Sequence, residues 1–238
     1  MKMKNVIFYQ LFELESSTYT YLIADPITKE AALIDPVLEC VERDMKLIFE
    51  LGLKLKYVLD THVHADHVTG AGEIRSRSGA RSGISAAAGV DCADIALKGG
   101  DELLLGALKI EVLATPGHTN TCLSFVFAGA VFCGDALMIR ATGRTDFQNG
   151  SAAELFHSIH DILFALPEDT IVYPAHDYHG QTSSEIGLEK RFNSRIGGGK
   201  SKEEFIKIMA DVKLADPKKI KEAVPANLMC GKKPQEKN

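Results

Sequence analysis

The chain has 238 residues, 45% of them hydrophobic and 25% charged, the balance of one large globular domain or two small ones, which excludes disordered, fibrous and low-complexity classes. A net charge of −5 argues against a nucleic-acid partner held on a broad basic face, and no segment approaches the roughly 18 apolar residues that a membrane span requires. Five cysteines (Cys40, Cys92, Cys122, Cys133 and Cys230) form no CxxC pair, so no disulfide framework is expected and a reducing, cytoplasmic setting fits.

The N-terminal stretch carries lysines, but its apolar run is too short for a signal peptide and alternates like a strand. Strands are expected over 5–13, 18–24 and 31–34, the last closing on Asp35-Pro36. Residues 39–52 space their apolar side chains as an amphipathic helix that stops at Gly52. An apolar strand over 56–59 then runs directly into DTHVHADH, so a polar cluster begins where a buried strand ends. A helix is expected over 70–79, a strand pair over 103–113 around Gly106, and a hairpin over 123–127 and 130–132. A helix over 152–165, a strand over 171–173 and helices over 202–212 and 218–223 complete the pass. Strands followed by helices, twice over, suggest an α/β sandwich with helices outside, a single domain over 1–238 with a helical appendage over about 200–238. The lysines of the last 25 residues, in KKIK and KKPQEK, are expected to be solvated surface.

Three of the eight histidines fall within six residues, as His62, His64 and His67 around Asp66. Chance gives such a string in on the order of 5 of 10,000 chains of this composition, too rarely for an idle surface run. In a short turn His62 and His64 point one way while Asp66 and His67 project to the adjacent side. Imidazole and carboxylate together suit Zn²⁺, Fe²⁺ or Mn²⁺. Three more candidates each stand on a tight turn at a strand end: His118 in TPGHT, Asp135 in GDA and His176 in YPAH. Alone, each would more often cap or hydrogen-bond; in this order they form a metal-ligand set.

The strings THVHADH, TPGHT, GDA and YPAHDYHG, in that order, resemble the metallo-β-lactamase superfamily over nearly the whole chain. That resemblance implies an αββα sandwich of two mixed sheets with outer helices and the metal at one edge. A narrower likeness comes from GDAL followed by Ile139-Arg140 and GRTDFQ, from HDYHG, and from VPAN with Cys230-Gly231, which together are similar to the persulfide dioxygenases. The likeness implies one Fe(II) per chain held by His62, His118 and Asp135, a facial triad with open positions for two co-substrates. His64, Asp66, His67, His176 and Tyr178 would then stand around the ligands and support them.

The implied reaction joins O₂ to the terminal sulfur of glutathione persulfide, water releasing sulfite and glutathione. Glutathione carries two carboxylates, and Arg140 and Arg144, on the loop after Asp135, are candidates to receive them, with Cys230 placed near the entrance by the same likeness. Cys133 stands where the family commonly has threonine. The family is often dimeric. No nucleic-acid or membrane partner is expected.

Two other readings compete. A hydroxyacylglutathione hydrolase with two metals would use all seven ligand positions, but such hydrolases usually carry a longer helical C-terminal domain than the roughly 60 residues that follow His176 here. A non-catalytic metal-binding or oxygen-sensing module would be expected to have lost ligand positions, and none is broken.

Overall fold

The computed structural model describes residues 5–232; residues 1–4 and 233–238, with most of the KKPQEK tail, lie outside the described residues. The first half of the chain forms a mixed six-stranded sheet of β1 (Ile7–Glu13), β2 (Thr18–Ala24), β3 (Glu30–Ile34), β4 (Lys54–Leu59), β5 (Arg81–Ser85) and β6 (Ile95–Leu97), in that spatial order. β1 to β3 are antiparallel; β3 to β6 run parallel. Helices α1 (Val41–Glu50) and α2 (Ala71–Ser78) are the parallel crossovers. β4 changes from an exposed Lys54 to a buried Tyr57-Val58-Leu59 end. The parallel neighbours β3 and β4 therefore deliver Asp35 and Asp60-Thr61-His62 to the same sheet edge, where open α/β sheets gather functional groups.

The second sheet runs in the order β12 (Ser184–Glu185), β11 (Ile171–Tyr173), β10 (Ala130–Phe132), β9 (Leu123–Phe127), β8 (Leu108–Ala114) and β7 (Glu102–Leu105). β8 and β10 are both antiparallel to β9, and β10 is parallel to β11. β8, β10 and β11 thus end at one edge, which brings the turns carrying His118, Asp135 and His176 side by side.

The strands β5, β6 and β12 are not foreseen by the sequence reading, because a Gly-Ser-rich run such as RSGIS has no alternation and becomes a strand only through its neighbours. The helix expected over 152–165 is shorter: α3 (Ala152–His157) gives way to a π turn and then a 3-10 turn, while Ser158 Oγ donates to the Pro116 carbonyl at 2.6 Å. A further helix, α4 (Ile186–Phe192), follows β12, and α5 (Lys202–Asp211) opens on a capping box of Ser201 with Glu204. The last helix, α6 (Ile220–Asn227), runs longer than its expected span and contains Pro225.

The chain divides into two compact units, one of residues 98–103 and 109–214, the other of residues 5–97, 104–108 and 215–232. In the first, α3, the π turn that follows it and α5 pack Leu155, Ile159, Phe205 and Met209 against Val131, Leu137 and Val172. In the second, α1 and α2 place Val41, Ile48 and Ile74 on Leu22, Leu33 and Val58. α5 falls in the first unit and α6 in the second.

Inside α1, Asp44 is fully buried beside Arg43, whose Nε donates to it at 2.8 Å. Burial raises this carboxyl to about 6, against the pull of Arg43. A folded-state pKa above the unfolded 3.8 means a stabilising contribution that is complete below pH 3.8 and lost as pH rises through 6. Asp44→Asn is expected to raise stability by about 2 kcal/mol at pH 8 and to change little at pH 3.5, read by urea unfolding at both pH values.

Candidate metal centre

In the unit that holds residues 5–97, Asp35 organises the histidine loop. Its carboxylate accepts from Thr61 N at 2.7 Å, Thr61 Oγ1 at 2.9 Å and His64 Nε2 at 3.1 Å. Because the single Thr61 hydroxyl proton goes to Asp35, Thr61 Oγ1 accepts from His62 Nδ1, 3.0 Å away. That fixes the His62 tautomer with its lone pair on Nε2, the form a metal needs. Burial disfavours the charged His64 ring, but the charge and hydrogen bond of Asp35 outweigh it and bring the ring up to about 9. Burial pushes the neighbouring Asp60 carboxyl up to about 7, with the His64 charge opposing.

The same loop is held from behind. Asn227, at the end of α6, donates from Nδ2 to the carbonyls of His64 at 2.8 Å and His67 at 2.9 Å, and accepts from Thr69 N at 2.8 Å. His67 Nδ1 lies 2.9 Å from Asp66 Oδ2 and 3.3 Å from Thr18 Oγ1. The rings of His62, His64 and His67 follow one another at 4.1 and 4.3 Å. His64 with Asp66 and His67, and His64 with Asp35 and Asp60, each bring possible ligand atoms within 4.8 Å of one another.

In the unit that holds residues 109–214, His118 Nδ1 donates to the Arg144 carbonyl at 2.8 Å, again leaving the lone pair on Nε2. That nitrogen is 3.6 Å from Asp135 Oδ2, and His176 Nε2 is 3.9 Å from Asp135 Oδ1. Both separations exceed hydrogen-bond length, and Asp135 Oδ1 is buried with no hydrogen-bond partner. A buried carboxylate oxygen left so is costly unless a cation meets it, and two imidazoles converging on it supply the rest of such a site, so these residues fit a metal ion. Two glycines make the arrangement possible. Gly117 turns at φ +133° where a Cβ would overlap the Leu155 backbone, and a Cβ on Gly143 would strike the Asp135 carbonyl and stand 2.8 Å from His118 Nδ1.

Several expected site residues have partners inside the protein. Arg140 binds Glu189 Oε1 at 2.5 Å and lies over the Phe192 ring. Arg144 forks onto Asp146 at 2.6 and 2.7 Å, lies over Phe147, and reaches the Leu214 carbonyl. Tyr178 is 66% exposed and stacks on His176 with ring centroids 6.1 Å apart. Cys133 is buried and donates to the Leu137 carbonyl at 2.9 Å, closing the turn that carries Asp135; burial raises its thiol far above the ordinary range.

Cys230 corrects the sequence reading. It is not a free thiol: it is joined to Cys92 in a disulfide, a pairing across 138 residues that spacing alone does not reveal. Asp35, Thr61, Gly143 and Asn227 were not among the expected site residues. Their signals were an Asp-Pro at a strand end, the first residue of the THVHADH string, and the GRTDFQ and VPAN strings.

The metallo-β-lactamase superfamily model matches residues 15–176. The chain is 49% identical over 229 residues to the mitochondrial persulfide dioxygenase ETHE1 of Mus musculus, covering 95% of this chain and 89% of that protein. The crystal structure of ETHE1 from Myxococcus xanthus superposes with a TM-score of 0.92 at 53% identity, covering 94% of this chain and 99% of the other. TTHA1623, solved in a di-iron-bound form, is 26% identical with a TM-score of 0.65, covering 78% of this chain and 98% of its own. The α/β fold of two mixed sheets with helices and the order of the histidine and aspartate turns thus have one source: the chain belongs to the metallo-β-lactamase superfamily, and within it to the persulfide dioxygenases.

Proposed function

We propose that the chain oxidises glutathione persulfide with O₂ and water to sulfite and glutathione, using one Fe(II) held by His62, His118 and Asp135. The observation that carries the ligand choice is the pair of fixed tautomers: Thr61 takes the Nδ1 proton of His62 and the Arg144 carbonyl takes that of His118. Iron in such a site supplies the electronic chemistry that joins O₂ to sulfur. The protein supplies position and electrostatics. Asp135 brings one negative charge to two neutral imidazoles, and the remaining acidic neighbours are otherwise engaged: Asp66 with His67, Asp35 with Thr61 and His64.

The atoms balance: the persulfide, one O₂ and one water give the thiol, sulfite and its protons, with the sulfane sulfur oxidised and O₂ reduced. Anaerobically purified protein is expected to hold one iron per chain and, on addition of glutathione persulfide, to take up O₂ and release sulfite in equal amounts. Two zinc ions per chain with thioester cleavage and no oxygen uptake would assign the hydrolase instead.

Gly143→Ala tests the support of His118. The added methyl presses on the ring and on the Asp135 carbonyl, and iron affinity is expected to fall about 10- to 100-fold, as for other residues that orient a ligand. Titration of the metal-free variant with Fe(II) checks this, and an unchanged affinity would show that the turn gives way. For Arg144→Ala, a raised KM at unchanged kcat would mark a contact with substrate, whereas loss of iron would mark its carbonyl and Phe147 contact as structural.

A further inference from the structure

Helix α2 holds both halves of the Cys92–Cys230 disulfide. Arg75 NH1 donates to the Cys92 carbonyl at 2.8 Å while its Nε pairs with Asp94 at 2.8 Å. Gly72, one turn earlier, packs under the Cys230 carbonyl so closely that a Cβ would overlap it. Cys230 in turn closes the end of α6: its N–H donates to the Asn227 carbonyl at 3.1 Å, and Gly231 N–H to Ala226 O at 2.9 Å. Asn227 is the residue whose side chain holds His64, His67 and Thr69. Only Leu228 and Met229 thus separate the disulfide from the clamp on the histidine loop.

A cleft of about 590 Å³ opens beside this disulfide, and Cys230 rather than Cys92 lines it, together with Arg75, Arg81, Asp94 and Lys232. Glu73 also lines it, 4.0 Å from Arg77. Arg75 and Asp94 neutralise each other. Arg81 and Lys232 are exposed and have no acidic partner among the described residues. The cleft therefore draws an anion to the side of one cysteine of the disulfide.

We propose that Cys92–Cys230 is a thiol-exchange switch, entered through this cleft by an anionic low-molecular-weight thiol, and that opening it loosens the hold of Asn227 on the loop of residues 64–69. The incoming thiolate attacks the Cys230 sulfur. A new S–S bond forms there, the Cys92–Cys230 bond breaks, and the electron pair leaves on Cys92, which takes a proton from water. One thiolate enters and one leaves, so no external oxidant is required. The attacked sulfur belongs to the cysteine that lines the cleft, and the freed Cys92 stays on the loop that Arg75 pins.

The test uses the full chain as purified. Denatured, unreduced protein is expected to show three titratable thiols, those of Cys40, Cys122 and Cys133; five would remove the switch. The intact disulfide protein is then exposed to glutathione, which is net anionic, or to cysteamine, which is cationic, at equal thiolate concentration. Glutathione is expected to open the disulfide about fivefold faster, the effect of one exposed charge pairing of about 1 kcal/mol, with the adduct on the peptide containing Cys230. Arg81→Glu and, separately, Lys232→Glu should erase that preference. Equal rates in the unmodified protein, or an adduct on Cys92, would overturn the proposal. For the coupling, amide hydrogen exchange at Thr69 is expected to be several-fold faster in Cys92→Ser and in phosphine-reduced protein than in the disulfide form; identical exchange in all three would overturn it.

Discussion

His118→Ala is expected to abolish iron retention and oxygen uptake together. The imidazole is aimed by two fixed points, the Arg144 carbonyl on Nδ1 and the edge of Phe147 at 5.7 Å, and its Nε2 stands 3.6 Å from Asp135 Oδ2. His176 approaches the other carboxylate oxygen, at 3.9 Å. Iron affinity should fall by more than about 100-fold, beyond the range seen when only a supporting residue is lost. His67→Ala provides the contrast. Its ring is engaged by Asp66 and Thr18, and the variant is expected to keep its iron within that smaller range. Metal analysis and oxygen-electrode measurements on both variants, with circular dichroism to show that each is folded, decide the matter. Iron and turnover retained in His118→Ala would contradict the ligand assignment.

Asp35→Ala is expected to have the largest effect on stability. Asp35 is buried at 1% exposure, and its two oxygens satisfy the Thr61 N–H, the Thr61 hydroxyl and His64 Nε2. Removing the carboxylate leaves a buried, charged imidazole without its hydrogen-bonded counter-ion, which costs about 3–5 kcal/mol where such pairs have been broken. Against a total stability of about 5–15 kcal/mol this is a large fraction. Asp35→Asn keeps an acceptor for Thr61 and should cost less, about 1–3 kcal/mol. Urea unfolding of the metal-free proteins measures both. A loss under about 1 kcal/mol for Asp35→Ala would show that His64 is neutral in the folded protein.

Both predictions start from side chains whose partners lie outside their own segment, and this separates what was legible in the sequence from what was not. The strand ends were legible. A run such as KYVL loses its polar residues toward one end and then meets DTHVHADH, and that change of pattern is local. The same holds for TPGHT after β8, GDA after β10 and YPAH after β11, and the order of these turns was sufficient to indicate the family. The stop of α1 was visible for a similar reason: Gly52 adopts φ +61°, a conformation that glycine takes without strain.

The support of the site was decided by tertiary structure. Asp35 reaches Thr61 only because β3 and β4 pair in parallel, and Asn227 meets the His64 carbonyl across 163 residues of chain. Arg140 and Arg144, plausible by sequence as anion receivers, pair with Glu189 and Asp146, contacts that no local pattern announced. Cys92 and Cys230 are paired, although their spacing gave no sign of it. The physical reason is common to all of these. Hydrophobic alternation, turn glycines and ligand strings are set by residues a few positions apart, so they leave a pattern in the chain. A hydrogen bond, ion pair or disulfide between distant segments depends on where two strands or helices come to rest, and only the packed fold specifies that.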